Sequence, residues 1–214
     1  MYLGKNMRFD IMLPLSFLCT RVKEPTIQDQ KKLNKILEYV KRTQDEAMVY
    51  RQDSSSELTI YADAAYNCHQ DGKGHTGIVI KLGKNTIGIR CNKQKVSTQS
   101  SCEAEIIALQ YATTEAEWIR HLIELMGMKQ KEATTIYEDN KSAMILIRRG
   151  FSKANRYLAR RYFYIHEQQE AGTIKLIHKA TKQHMADILN KGLIGSDFRK
   201  HKAQIMQGKK YKHL

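Results

Sequence analysis

The sequence predicts an α/β fold, and three observations support that prediction. Between about residues 58 and 91, apolar and β-branched residues recur in three short runs that polar or glycine-containing segments separate. A long run with helical periodicity follows, from about 102 to 126. Strand-like and helix-like runs then alternate to the end of the chain. The predicted order is three strands, helix, strand, helix, strand, helix.

Each predicted element has a local signal of its own. Runs of alternating or β-branched residues predict strands, and apolar residues three or four apart predict helices. The predicted strands lie near 58–63, 76–82, 86–91, 134–138 and 173–178, and the predicted helices near 102–126, 141–149, 157–170 and from about 186.

The first fifty residues are predicted to be helical. The most apolar run, Ile11 to Cys19, is too short for a membrane span and lacks a cleavage site, so we expect a core helix there. A second helix is expected from Thr26, with Thr26 and Asp29 as capping residues. This pair needs a surface to pack against. That surface lies on another region of a longer protein or on the following domain, or the pair has no stable partner.

A polar, serine-rich stretch from 52 to 57 is the candidate domain boundary. The predicted organisation is a helical segment at 1–52, an α/β domain at 57–195 and a basic tail at 196–214.

Composition favours a globular protein that binds a polyanion. The 214 residues include 42% hydrophobic residues, and 36 Lys and Arg against 22 Asp and Glu give a formal charge of +14. Nucleic acid is the obvious partner for such a charge, although excess lysine can also simply keep a protein soluble. Basic residues crowd around 148–161, with aromatic residues between them, and again from 199 to 212. The aromatic residues in the first cluster either stack on bases or face the core of an amphipathic helix.

The four cysteines give no sign of a zinc site or a disulfide scaffold. They lack Cys-x-x-Cys spacing and a paired histidine pattern. We therefore expect a cytoplasmic or nuclear location, with neither secretion nor membrane association.

Four acidic residues lie at positions where a carboxylate side chain is a candidate for a functional role. Asp63 and Asp139 end β-rich runs, and Glu105 borders the apolar seam of the long helical run. Asp187 precedes an apolar pair, where it either has a function or stabilises a first helical turn through the helix dipole. Glu103 is expected to face solvent.

Carboxylates from several elements suit one particular chemistry. Hard divalent ions such as Mg²⁺ prefer carboxylate oxygens, and two ions about 4 Å apart can assist phosphodiester cleavage. The four acids together therefore predict a metal site.

Seven motifs around these acids occur in an order that is similar to a known family. The motifs are Tyr61-Ala-Asp-Ala-Ala65, Gly74-His-Thr-Gly77, Asn92-Lys-Gln94, Ser100-Ser-Cys-Glu-Ala-Glu105, Glu117-Trp118, Asp139-Asn-Lys-Ser-Ala143 and Ala186-Asp-Ile188. In this order they resemble the ribonuclease H domain of copia-type retrotransposon Pol polyproteins. Upstream, Ser16-Phe-Leu18 and Leu37-Glu-Tyr-Val-Lys41 resemble the segment that joins reverse transcriptase to that domain. The chain has no Tyr-x-Asp-Asp polymerase motif.

The resemblance implies a ribonuclease H-like mixed five-stranded sheet with helices on both faces and Asp63 and Asp139 on adjacent central strands. It implies a ribonuclease that cuts the RNA strand of RNA:DNA hybrids, with the reverse transcriptase polymerase region as a further partner. Two Mg²⁺ ions, with Mn²⁺ as a substitute, would bind Asp63, Glu105, Asp139 and Asp187. The expected substrate contacts are Gln94, Ser97, Asn140, Ser142, Arg156 and Arg160.

Several of these assignments leave alternatives open. Asn140 and Ser142 are equally well explained as helix caps. His178 and His184 lie where related ribonucleases use a histidine for proton transfer, but copia-type domains usually have glutamine at the position of His184, and a solvated loop histidine is the simpler interpretation. The chain also departs from the family at Tyr66, where tryptophan is usual, at 156–159 and at Phe163.

Two other function classes remain open. The first is an inactive or domesticated fragment that binds nucleic acid through its basic surface without cutting it. The second is a nuclease of the same fold that acts on a different substrate, such as structured DNA.

Overall fold

The centre of the protein is one mixed five-stranded sheet. A computed structural model describes residues 1–52, 55–149 and 159–207. The strands are β1 (Leu58–Ala65), β2 (Lys73–Leu82), β3 (Asn85–Ser97), β4 (Thr134–Glu138) and β5 (Ile174–His178). They lie in the order β3-β2-β1-β4-β5, with β1, β2 and β3 antiparallel and β1, β4 and β5 parallel. This confirms the predicted sheet and the adjacent central strands.

Helices cover both faces of the sheet, as predicted. Three helices pack on what we call the first face: α4 (Ser101–Leu125), α5 (Lys141–Arg149) and α6 (Ala159–Glu170). The second face is covered by the N-terminal segment and by α7 (Gly195–Met206). The N-terminal segment contains α1 (Tyr2–Asn6), α2 (Met12–Cys19) and α3 (Ile27–Arg42).

The alternation of side chains along β1 divides the core between these faces. Ile60 and Ala62 point into the first-face core, whereas Tyr61 belongs to the second-face core. Since alternate residues share a face, Asp63 follows Tyr61 onto the second face at the end of the strand. Both faces of β1 are covered, which explains why its sequence is an almost continuous apolar run.

The N-terminal segment packs on the α/β domain that follows it, which is one of the alternatives that the sequence leaves open. Phe9 and Met12 are buried in the second-face core. The hydroxyl of Ser16 donates to the Cys91 carbonyl at 2.9 Å. The Phe17 ring stacks on the rings of His69 and His75 at 4.4 and 5.1 Å. Apolar burial and these polar contacts together fix the segment against β2 and β3.

A second buried group ties the segment to α3 and α7. Arg8 forms a salt bridge with Asp10 at 2.9 Å, and Asp10 also accepts from the Tyr39 hydroxyl at 2.7 Å. Lys202 of α7 donates to the same hydroxyl at 2.7 Å. Helix α3 begins with the predicted capping box of Thr26 and Asp29.

The structure corrects two predictions, one about the last helix and one about the burial of Glu103. The predicted helix from about 186 is a 3-10 helix at Met185–Leu189, and the α-helix begins only at Gly195. Residues 196–206 of the expected basic tail belong to α7, whose Ile205 and Met206 are buried. Glu103 is buried, not solvated, because its carboxylate accepts from the Gln99 amide at 2.6 Å. The domain boundaries themselves stay predictions.

In the described ranges, 1–52, 55–149 and 159–207, no helix is long and apolar enough to cross a membrane.

The acid sensitivity of the fold can be predicted from His75. Burial first, and then the nearby His69, lower the pKa of His75 to about 3, from 6.5. A depressed pKa gives stability that is present above about pH 6.5 and is lost as the pH falls toward 3, because the unfolded chain takes up the proton first. Between pH 7 and pH 5.5, wild type should lose about 1 kcal/mol more unfolding free energy than a His75→Gln variant.

Urea unfolding at the two pH values measures this difference. The exposed His121, changed to Gln, is the matched control and should follow wild type. Equal losses in wild type and His75→Gln would contradict the assignment.

Candidate metal centre

Asp63 lies at the centre of the site. It is near the end of β1, is 1% exposed and pairs across the sheet with Gly77 of β2. Its Oδ2 accepts a hydrogen bond from Asn190 Nδ2 at 2.8 Å. A carboxylate so far from solvent requires compensating charge or donors.

Asp139 reaches the same place because β4 runs parallel to β1. Tyr61 pairs with Tyr137, so both strands end side by side and each presents its acid two residues later. Asp139 Oδ2 accepts from the hydroxyl of Thr181 at 2.6 Å. The sheet register therefore brings together two acids that are 76 positions apart in the sequence.

Glu105 completes a first group of three carboxylates. It lies near the start of α4, which Ser100 caps by accepting from the Glu103 amide. One oxygen from each of Asp63, Glu105 and Asp139 lies within 4.8 Å of the other two. Such a triad can hold a divalent ion.

Asp187 arrives from the 3-10 helix and forms a second group. Ligand atoms of Asp63, His184 and Asp187 also lie within 4.8 Å of one another. Asp63 is thus shared by two adjacent groups. The structure brings all four predicted acids together.

Gly77 explains how the Asp187 segment can lie so close to the sheet. A Cβ placed on Gly77 would lie 2.9 Å from the Ala186 carbonyl oxygen and 3.0 Å from Leu189 Cβ. Only glycine leaves this space without displacing the backbone.

Lys191 supplies positive charge to the site. Its Nζ lies 2.9 Å from Asp63, 2.9 Å from Asp187 and 3.9 Å from Asp139. Lys191 lies four residues after Asp187. Its backbone amide donates a hydrogen bond to the Asp187 carbonyl, which closes a turn between the two residues. The ammonium therefore neutralises part of the charge on three carboxylates.

Burial and the negative charge that Lys191 does not neutralise shift the pKa values of the acids. Burial, and then repulsion by Glu138, Asp63 and Asp139, raises the pKa of Glu105. Burial and then Asp63 raise the pKa of Asp187 to about 7. Burial opposes the charge on Lys191, but the neighbouring carboxylates outweigh it and raise its pKa.

The donor set fits divalent ions. Among the described residues, the buried oxygens Glu105 Oε2 and Asp63 Oδ1 accept no hydrogen bond. Unsatisfied oxygens in a cluster of repelling carboxylates are suited to a hard cation, which supplies the missing charge and coordination.

Sequence reasoning missed three residues of the site. Glu138 is fully buried, and its pKa is raised by burial in addition to repulsion by Asp63 and Asp139. The alternation in β4 could have identified it, since Ile136 and Glu138 share the inner side. Asn190 and Lys191 could have been found only through the turn that follows Asp187.

The predicted substrate contacts occupy different environments. Gln94 is buried, and its amide donates to Thr76 Oγ1 at 3.1 Å and to the Ala104 carbonyl at 3.0 Å. Asn140 caps α5 by accepting from the Ala143 amide at 3.0 Å. Ser97, Ser142 and Arg160 are exposed, and Arg156 lies outside the described residues. As nucleic-acid contacts, all six stay predictions.

The two histidines before Asp187 differ from each other. His178 is exposed at the end of β5. His184 is fully buried, which corrects its interpretation as a solvated loop residue, and burial lowers its pKa.

Comparison with known proteins identifies relatives over almost the whole chain. The chain is 28% identical over 200 residues to the retrovirus-related Pol polyprotein from transposon RE1 of Arabidopsis thaliana, which covers 92% of this chain and 14% of the polyprotein. The RE2 polyprotein of the same plant is 28% identical over 188 residues, 87% of this chain and 13% of the relative. The Ty1-ER2 Gag-Pol polyprotein of Saccharomyces cerevisiae is 20% identical over 197 residues, covering 90% and 11%. These relatives confirm the predicted resemblance, and the chain spans about one seventh of their length or less.

No family model matches the chain. Among solved structures, the LC11 ribonuclease H1 isolated from compost has a TM-score of 0.49 and 19% identity, covering 63% of this chain and 93% of that chain. The same enzyme in complex with an RNA/DNA hybrid gives a TM-score of 0.49 at 14% identity, covering 64% and 96%.

The close approach at Gly77 yields a prediction about stability. Gly77→Ala should lower the unfolding free energy by about 1–3 kcal/mol, because the added methyl group must displace the Asp187 segment. Gly88→Ala is the matched control within the same sheet, since its Cβ would meet only Ile80 Cδ1 at an ordinary 3.6 Å. Urea unfolding of both variants measures the difference, and equal effects would contradict this role for Gly77.

Proposed function

We propose that this chain, a relative of the carboxy-terminal part of copia-type retrotransposon Pol polyproteins, is a ribonuclease H. It would hydrolyse the RNA strand of RNA:DNA hybrids with two bound Mg²⁺ ions, for which Mn²⁺ can substitute. The observation that carries the proposal is the pair of ligand groups that share Asp63, one with Glu105 and Asp139 and the other with His184 and Asp187. Two adjacent cation sites with a common carboxylate suit phosphodiester hydrolysis.

In this proposal the four acids hold the ions. Asp63 contributes to both sites, Glu105 and Asp139 to one and Asp187 to the other. When bound, the ions would lower the pKa of the attacking water and stabilise the negative charge on the departing ribose oxygen.

The surrounding residues keep the acids in position. Asn190 donates to Asp63 and Thr181 to Asp139, which fixes one oxygen of each carboxylate. Lys191 balances the charge of Asp63 and Asp187 from a side chain that is 35% exposed. Because that side chain reaches solvent, its ammonium can leave the carboxylates when an ion arrives.

The substrate would approach this edge of the sheet and contact the exposed basic residues. The formal charge of +14 would draw a polyanion to the protein and make binding weaken as salt rises. Exposed Arg148, Arg149 and Arg160 are available for phosphate contacts, and Ser97 and Ser142 for hydrogen bonds. A ribose 2′-hydroxyl near the acids would identify the strand to be cut as RNA.

The proposed setting is reverse transcription by a retrotransposon. The relatives are Pol polyproteins, of which this chain matches a short part. The reverse transcriptase polymerase region is therefore a proposed partner, and a reducing compartment of the host cell the proposed location.

Cleavage of a labelled RNA:DNA hybrid tests the proposal. With Mg²⁺ and low salt, wild type should cut the RNA strand, and Asp63→Asn and Asp139→Asn should each cut at least about 100-fold more slowly, because metal stabilisation is worth several kcal/mol and about 1.4 kcal/mol is tenfold in rate. Both variants should still bind the hybrid.

The exposed Glu132, changed to Gln, is the matched control and should cut like wild type. Double-stranded RNA and DNA of the same sequence should stay intact. Binding without cleavage by wild type, with Mn²⁺ as well as Mg²⁺, would overturn the proposal in favour of a nucleic-acid-binding fragment.

A further inference from the structure

His184 differs from the four acids because its ring can offer a nitrogen lone pair to a metal ion, whereas they offer oxygen. Its ring is fully buried, and the residue lies directly before the 3-10 helix that carries Asp187. One ring nitrogen lies within 4.8 Å of a carboxylate oxygen from each of Asp63 and Asp187. This places an imidazole beside two of the four acids.

The structure also fixes the tautomer of the ring. Nε2 lies 3.1 Å from the Tyr137 carbonyl oxygen. A carbonyl only accepts, so Nε2 carries the hydrogen and Nδ1 keeps the lone pair. The edge-to-face contact with the Tyr61 ring, at 5.7 Å and 77°, holds the imidazole in this orientation.

The lone pair has no hydrogen-bonding partner. Nδ1 is buried and accepts no hydrogen bond within the described part of the chain. For an ordinary core histidine, such an unsatisfied buried acceptor is destabilising. Coordination of a metal ion would offset that cost.

We infer that Asp63, Asp187 and His184 form a mixed nitrogen and oxygen ligand set that binds a transition-metal ion more tightly than Mg²⁺. His184 is then the residue that selects the metal at one of the two sites. The inference rests on the proposed metal centre and adds to it the identity of the preferred ion.

The chemistry of the donors supports this selection. Mg²⁺ prefers oxygen ligands and retains water, whereas first-row transition-metal ions also accept imidazole nitrogen, with Zn²⁺, Fe²⁺ and Ni²⁺ binding it more strongly than Mn²⁺. In an octahedral site with bonds of about 2.1 Å, opposite ligand atoms lie about 4.2 Å apart. Adjacent ligand atoms in the same octahedron lie about 3.0 Å apart, so side chains whose ligand atoms lie within 4.8 Å of one another reach this geometry by closing around the ion.

Lys191 competes with any metal ion that binds at this site. Its ammonium contacts both Asp63 and Asp187 at 2.9 Å and must move when an ion binds. An ion that gains a bond to nitrogen displaces it more readily than one that gains only oxygen ligands. Since this displacement costs either kind of ion the same, the preference between them depends on the ligands, His184 included.

Manganese binding by the purified full chain tests the inference. Mn²⁺ is titrated against wild type, His184→Gln and the exposed control His178→Gln by electron paramagnetic resonance, and Mg²⁺ is then used to displace it. The ratio of Mg²⁺ to Mn²⁺ dissociation constants should fall about tenfold or more in His184→Gln. It should stay unchanged in His178→Gln.

A measurement on wild type avoids dependence on any variant. Electron spin echo modulation of the Mn²⁺ complex should show coupling to one ¹⁴N nucleus, which changes when histidine alone is labelled with ¹⁵N. No nitrogen coupling in wild type would overturn the inference, as would an unchanged dissociation-constant ratio in a folded His184→Gln.

The two proposals can fail separately. A His184→Gln protein that still cuts the hybrid with Mg²⁺, while wild type shows no nitrogen coupling, would refute the metal preference and leave the ribonuclease proposal intact. A wild-type protein that binds neither ion would refute both.

Discussion

The mutual repulsion of the carboxylates around Asp63 is the constraint on which the rest of the site depends. Asp63, Glu105, Asp139, Asp187 and Glu138 lie where two parallel strands end, and most of them are buried. Burial first, and then the neighbouring carboxylates, raises the pKa values of Glu105, Glu138 and Asp187. A fold keeps such a group only if something supplies positive charge. Lys191 supplies one charge, and bound divalent ions would supply the rest.

The second face of the sheet holds the residues that make this arrangement possible. The segment from His184 to Lys191 brings Asp187, the imidazole and the ammonium to Asp63, and Gly77 leaves room for it. Phe9 and Met12 of the N-terminal segment and Ile205 of α7 share a core with Ile188 and Leu189 of that segment. The N-terminal segment therefore supports the candidate metal centre through packing, although neither ligand group includes one of its residues.

The sequence predicted best those features that depend on local pattern. The strand β4 and the helix α5 have the predicted limits, and Asp63 and Asp139 were identified because a charge ends an apolar run. The long helix was recognisable because its apolar residues recur at helical spacing. These signals lie within a few residues of the feature that they predict.

Features that depend on tertiary packing could not be predicted in the same way. The 3-10 helix that carries Asp187 packs against Gly77, and the buried His184 contacts Tyr61 and Tyr137. The burial of Gln94 also depends on distant partners, because its amide is hydrogen-bonded to β2 and α4; its contact with nucleic acid stays a prediction. In each case the deciding partner lies far away in the sequence.

Anomalous X-ray diffraction from crystals soaked in Mn²⁺ tests the central claim most directly, because it locates ions without relying on activity. The account predicts two peaks about 4 Å apart. One should lie among Asp63, Glu105 and Asp139, and the other between Asp63 and Asp187, with the Lys191 ammonium displaced. A crystal with no peak at Asp63, and with Lys191 still bound to the acids at saturating Mn²⁺, would contradict the claim that these carboxylates form a metal centre.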